Sequence, residues 1–198
     1  LDEVSKKYGD NRRTMIAGGN LEDLNEEDLV SDVPALVTIT RNGYIKRTQP
    51  GNYRTQARGG KGVIGQAVKD EDEIDMLIPC RALHTLLFFS DRGKVYSERV
   101  YELAESGRTE KGTPIVNLLS LEPNERITTA VTVPDFKAAE YIVVATAKGR
   151  VKRMALSDFE TVRVSGLIAI TLDDGDELGW ARLTSGKDEL IMVTAGGN

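Results

Sequence analysis

Hydrophobic and polar positions along this chain fall into short bursts that recur. Four segments share one pattern: ALVTITRNGYIKRT (35–48), TLLFFSDRGKVYSE (85–98), YIVVATAKGRVKRM (141–154) and ELIMVTAGGN (189–198). Each opens on a β-branched or aromatic run and reaches a glycine, and in the first three a second strand-like run follows it. The aligned glycines are Gly43, Gly93, Gly149 and Gly197, spaced by 50, 56 and 48 residues. The pattern predicts a β-hairpin at each. Asn42–Gly43 suits a two-residue type I′ turn, which needs positive φ at both central residues.

The correspondence continues beyond the hairpins. GKGVIGQAV (60–68), EKGTPIVNL (110–118) and VSGLIAITL (164–172) each place a glycine before a short apolar run. Acidic turns come next, in KDEDEI, LEPNERI and DDGDEL, and then a further strand in DMLIPC (75–80), TTAVTV (128–133) and WARLT (180–184). Each unit therefore reads as four short strands in roughly 50 residues, the period of a propeller-like array of blades. One blade cannot bury both of its faces alone, so neighbours must stack. An ordinary β-sandwich with accidental similarity is the plainer alternative, and the three aligned positions per unit argue against it.

The ends read differently. In LDEVSKKYGDNRRT, Leu1, Val4 and Tyr8 share a helical face and Gly9 stops it. The expected organisation is a helix end over 1–19, an acidic linker over 20–34 and the β array over 35–198. Repeats are expected near 35–83, 84–139, 140–187 and 188–198, the last one only begun. The chain reads as an excerpt of a longer polypeptide.

Composition narrows the functions available. The 198 residues are 40% hydrophobic, with no apolar run long enough to span a membrane and no signal peptide in view. The single cysteine, Cys80, cannot form an internal disulfide, so a reducing cytoplasm is the simplest compartment. A metal cluster is not expected, and the lone histidine, His84, reads as structural. The net charge is −5, yet charges are sorted along the chain. Residues 1–32 carry nine acids against four bases, and residues 33–69 carry seven bases and no acid. A sorted chain can present a basic face despite an acidic total.

GKGVIG (60–65) satisfies G-x-G-x-x-G but is not followed by a helical face, so a dinucleotide site is not expected. Lys61 precedes glycine, not Ser or Thr, which excludes a P-loop. Asp70, Asp72 and Asp75 lack the glycine and distal glutamate of an EF-hand loop. The acidic turns read instead as solvated, gathered away from the basic hairpins. No nucleophile–base arrangement stands out, so no catalytic residue is assigned and no cofactor is expected.

The basic residues remain. Lys46 and Arg47 follow the first hairpin; Lys152 and Arg153 lie at the matching place in the third unit, close to Arg150. Arg54 adds to the first basic block. Arg58 and Lys61 correspond roughly to Arg108 and Lys111. Together they predict a belt that binds a polyanion. In TQARGGKG (55–62) the glycines let the backbone approach a surface, and their N–H groups can face phosphate oxygens. Arg58 can fork onto one phosphate while Lys61 acts as a point charge. Nothing is placed to read bases, so backbone binding without sequence readout is expected.

TQARGGKG resembles the signature heptapeptide Q-R-R-G-G-K-G of the DNA gyrase A C-terminal domain family. KYGDNRRT (7–14) resembles the exit of the long coiled coil in that family's parent protein, and DLVSDVPALVTITRNGYIKRT (28–48) the entry to its first blade. The resemblance covers essentially the whole chain. It implies an all-β, six-bladed β-pinwheel, of which this chain supplies about three blades and the start of a fourth. The heptapeptide maps onto Gln56, Ala57, Arg58, Gly59, Gly60, Lys61 and Gly62, with alanine at 57 where the family has a basic residue. The resemblance implies double-stranded DNA as ligand, bent around a basic rim in support of ATP-dependent negative supercoiling. Implied partners are the gyrase B protein and a second copy of the gyrase A protein, in the bacterial nucleoid. The related domain of topoisomerase IV and a protein-interaction propeller stand as alternatives.

Overall fold

The structure is a computed structural model that describes residues 26–52, 72–107, 109–137 and 139–193. By contacts the chain divides into Leu1–Val30 and Ser31–Asn198. In the first unit the described part is a short 3-10 turn over Glu26–Leu29. The expected helix over 1–19 and the box at 55–62 lie outside the described residues, as do Arg54 and Arg108.

The second unit is built of short antiparallel strands. They are β1 (Pro34–Thr40), β2 (Tyr44–Thr48), β3 (Ile74–Arg81), β4 (Thr85–Ser90), β5 (Lys94–Arg99) and β6 (Thr113–Pro114), followed by β7 (Ile127–Val133), β8 (Tyr141–Thr146), β9 (Val151–Ala155), β10 (Leu167–Ile168) and β11 (Leu178–Thr184). They form three sheets, ordered β3-β1-β2-β6, β10-β5-β4-β7 and β11-β8-β9. The strands read from the sequence at 75–80, 128–133 and 180–184 are β3, β7 and β11.

Sheet and repeat are out of phase. β6 belongs to the second repeat but pairs with β2 of the first, Tyr44 opposite Pro114 and Ile45 opposite Thr113. β10 belongs to the third and pairs with β5 of the second, Leu167 opposite Val95. Each repeat thus finishes the sheet of the repeat before it, which a reading of four strands per unit does not anticipate. Gly112 and Gly166 make the exchange possible. Both have positive φ, and a Cβ on them would lie 2.5 Å from the Ile45 carbonyl oxygen and 2.8 Å from the Tyr96 ring.

The hairpins also differ from the expected turn. Gly43 N–H donates to Thr40 O, and positive φ occurs at Gly43 but not at Asn42. The loop is therefore the three-residue form closed by a left-handed glycine, repeated at Gly93 and Gly149. It leaves a register shift in the neighbouring pairing, between Ile39 and Thr40 and between Phe89 and Ser90.

Period-two patterning explains the stacking. All six residues of β4 are buried. Leu86 and Phe88 join Val37, Ile39 and Ile45 in one core, while Leu87 and Phe89 join Ile142, Val144 and Phe159 in another. The second sheet is thus covered on both faces by its neighbours, at about 1.5–3 kcal/mol for each large side chain buried. The strand expected at the start of ELIMVTAGGN (189–198) is not formed over 189–193, where Leu190 to Val193 are exposed. Among the described residues nothing pairs with it, and a strand without a ladder leaves its backbone to water.

Candidate nucleic-acid interface

Two groups hold every hairpin tip, and a third holds the first and the last. A buried hydroxyl on the last residue of the first strand accepts a backbone N–H four residues on: Tyr44 N to Thr40 Oγ1 (3.1 Å), Lys94 N to Ser90 Oγ (3.3 Å) and Arg150 N to Thr146 Oγ1 (3.0 Å). A backbone N–H just before or at the tip donates to the acidic turn: Arg41 N to Glu73 O, Asp91 N to Arg126 O and Ala147 N to Glu177 O. The third group is a buried carboxylate from that turn. Asp72 Oδ1 accepts Asn42 N–H (3.1 Å) and Asp176 Oδ1 accepts Lys148 N–H (2.9 Å). In the second repeat Glu125 stands at the equivalent position, two residues before the last strand, but accepts the Tyr96 hydroxyl at 2.9 Å and the Glu122 N–H at 2.8 Å and not a tip amide.

The acidic turns are therefore not remote from the hairpins, contrary to the expectation from sequence, and each buries one carboxylate while its other acids, such as Glu73, Glu122 and Asp173, stay exposed to solvent. Acidic residues embrace the basic tips because the part-buried tip amides need acceptors. The second oxygens of Asp72, Glu125 and Asp176 are buried without a partner. Although burial raises the Asp176 carboxyl, its bonds from the Thr146 hydroxyl and from the Lys148 and Glu177 amides hold it below the ordinary value. The sequence did carry a signal for these clamps: Thr40, Ser90 and Thr146 all stand three residues before the aligned glycine.

Lys46, Arg47 and Lys111 come together around the 104–111 loop of the second repeat. Lys46 is 1% exposed, and its Nζ donates to Gly107 O (3.1 Å) and Glu110 O (2.9 Å). It is a tie between repeats and not a surface cation. The hydroxyl of Tyr96 ends its reach on Glu125 at the corresponding place in the second repeat, and burial, followed by that carboxylate, raises its pKa. Arg47 is 15% exposed in its side chain, with Nη2 3.5 Å from Glu105 Oε2. Lys111 Nζ lies over the Tyr44 ring, 3.6 Å from its centroid.

Arg150, Lys152 and Arg153 lie on or beside β9 and are exposed. Arg150 Nη1 meets Asp173 Oδ1 at 3.0 Å, and Lys152 Nζ donates to Ala169 O at 2.7 Å. Arg153 stacks over Tyr141 at 4.6 Å. Other cations are matched too: Arg41 with Glu73, Arg92 and Lys94 with Glu122, Arg126 with Glu177. Carboxylates are thus interleaved with the basic residues.

Among the described residues no cluster of three metal-ligating side chains occurs. His84 Nδ1 accepts the Arg81 N–H, and burial lowers its pKa. Burial pushes the Cys80 thiol up to about 11. A cleft of about 720 Å³ between the first hairpin and the second acidic turn is lined by Arg41, Tyr44, Glu125 and Arg126, among others.

Fold and site together define an all-β repeat protein of propeller type, with strands exchanged between repeats and cations paired with its own acids. The family described as "DNA gyrase C-terminal domain, beta-propeller" matches residues 35–80, 84–134 and 140–185, and the chain belongs to it. It is 43% identical over its whole length to the DNA gyrase A protein of Mycolicibacterium smegmatis and to that of Salmonella typhimurium. The chain spans 23% and 22% of the length of those relatives. A solved DNA gyrase A C-terminal domain superposes with TM-score 0.62 at 30% identity, over 75% of this chain and 47% of that one. A topoisomerase IV C-terminal domain does so with TM-score 0.65 at 28% identity, over 79% and 47%.

Proposed function

We propose that this chain binds duplex DNA through its phosphates, without reading sequence, and bends it as the wrapping domain of a DNA gyrase A protein. The observation that carries this reading is the family match over three consecutive repeats. The TQARGGKG box supports it from the sequence. Arg47, Lys111, Arg150, Lys152 and Arg153 supply the described cations, and Arg54, Gln56, Arg58, Gly59, Gly60, Lys61, Gly62 and Arg108 complete the proposed contact set.

Bending about 20–30 base pairs by 40–90° costs on the order of 1–6 kcal/mol, which the phosphate contacts offset at moderate salt. In the parent enzyme the bent segment is presented to the DNA gate, so that strand passage introduces negative supercoils. The ATP-dependent chemistry belongs to the other parts of that enzyme, in the bacterial cytoplasm with the gyrase B protein and a second copy of the gyrase A protein. This chain contributes binding and bending and no chemical step.

The test is a duplex titration at two or more salt concentrations, with wild type and the Arg58→Ala/Lys61→Ala variant. Roughly six phosphate contacts give a log–log slope near −5, and the double variant lowers its magnitude by about 2. Salt-independent or absent binding rejects the DNA reading in favour of a protein-interaction propeller. An unchanged slope in the variant rejects the role of the box.

A further inference from the structure

Two of the cations assigned to phosphate are already engaged by carboxylates that other segments deliver to them. Glu105 reaches Arg47 from the second repeat, and its position is fixed by main chain. Residues 47 and 105 form an isolated parallel bridge, with Arg47 N–H donating to Ala104 O (3.3 Å) and Ser106 N–H to Arg47 O (2.9 Å). The carboxylate is then split, Oε1 accepting Gln49 Nε2 at 2.8 Å and Oε2 facing Arg47 Nη2 at 3.5 Å. Glu105 thus meets the guanidinium at Nη2 alone, by one long contact, and leaves Arg47 Nε buried without an acceptor. Asp173 reaches Arg150 from the third acidic turn, again through one oxygen, at 3.0 Å. A phosphate can fork onto a guanidinium through two oxygens, which neither carboxylate does here.

We propose that Glu105 and Asp173 are internal stand-ins for DNA phosphate. They hold Arg47 and Arg150 in the free protein and are displaced from them by the duplex, so that they set the affinity threshold for binding. The proposal rests on the duplex-binding reading above. Exchanging one anion for another yields less than engaging a free cation, so the two carboxylates hold affinity down without weakening the fold.

The experiment measures binding of the full chain to a labelled duplex of about 20–30 base pairs at several salt concentrations. Wild type is compared with Glu105→Gln, Asp173→Asn and the charge control Glu160→Gln, whose exposed side chain is assigned no part in the interface. Glu105→Gln and Asp173→Asn should each tighten binding by about two- to five-fold, the size of an exposed ion pair. Each should steepen the salt slope by up to about 0.9, one phosphate contact. Arg47→Ala should cost more affinity on the Glu105→Gln background than in wild type. Melting curves matching wild type show that the fold is intact, and the surface position of Asp173 keeps the second variant informative if the first misfolds. Gains no larger than that of Glu160→Gln, or an equal Arg47→Ala loss on both backgrounds, overturn the stand-in role while wild type still binds. Wild type that fails to bind duplex at low salt overturns the DNA reading and this proposal together.

Discussion

At the scale of single residues, burial redistributes roles that charge alone suggests. Lys46 lies in the basic block, but its ammonium is out of solvent and donates to two carbonyls of the next repeat. Lys46→Met leaves those oxygens unpaired and should cost about 1.5–3 kcal/mol of stability in urea unfolding, the scale of hydrogen bonds to a charged group. The duplex affinity of the folded fraction should hold. A large affinity loss at unchanged stability would return Lys46 to the interface. Glu98 is the second such residue. Burial, followed by the neighbouring Glu102 carboxyl, pushes it up to about 8 from an ordinary 4.5. The folded state therefore binds the proton more tightly, and stability should decline as pH rises from about 4.5 to about 8. Glu98→Gln should flatten that decline in thermal melts taken across the same window; an equally steep decline in the variant would assign it to other groups. Neither assignment was legible in the sequence. A lysine or glutamate in a strand shows its charge in the letters, but whether it faces water depends on the chain that crosses it.

At the scale of elements, local patterning reported the strands well and their partners poorly. The β-branched and aromatic runs ALVTIT, TLLFFS and YIVVAT and the glycine after each were sufficient to place β1, β4, β8 and their hairpins. A strand period fixes which face a residue occupies but does not name the neighbouring strand. The exchange of β6 and β10 was therefore invisible, although Gly112 and Gly166, which permit it, stand at aligned positions. Gly112, Gly149 and Gly166, with φ between +81° and +88°, separate backbone strain from crowding. Gly149 has open space around it, so Gly149→Ala should cost about 1–2 kcal/mol, the left-handed backbone alone. Gly112→Ala and Gly166→Ala add a Cβ that meets a carbonyl oxygen or a tyrosine ring, and should cost about 1–3 kcal/mol more. Equal losses at all three positions in denaturant titrations would mean that the neighbours relax at no cost.

At the scale of the whole molecule, the sequence total of −5 and the sorted charges remain true but do not describe the surface. The tip of the first hairpin and the acidic turn 30 residues further on are separated in sequence and joined in space, through Asn42 with Asp72 and Arg41 with Glu73. Long-range pairing of this kind is set by topology, which is why the acids were expected elsewhere. The proposed salt slope belongs to this scale, because it counts phosphates neutralised over the whole footprint and not the strength of any one contact. An acidic domain can still give a steep slope when the acids it carries are those that its own cations already hold.

The staggered closure of the sheets has a consequence for how this molecule can be divided. A segment running from one repeat boundary to the next, such as residues 84–139, carries β6 away from the sheet it completes and lacks β10 for its own. Cut that way, it exposes the β5 edge and strands a loose two-residue strand. A fragment from Pro34 to about Asn117 keeps one sheet whole, with β6 seated on β2. Autonomy here begins part-way through the following repeat, so the smallest piece able to stand by itself is longer than the period written in its letters.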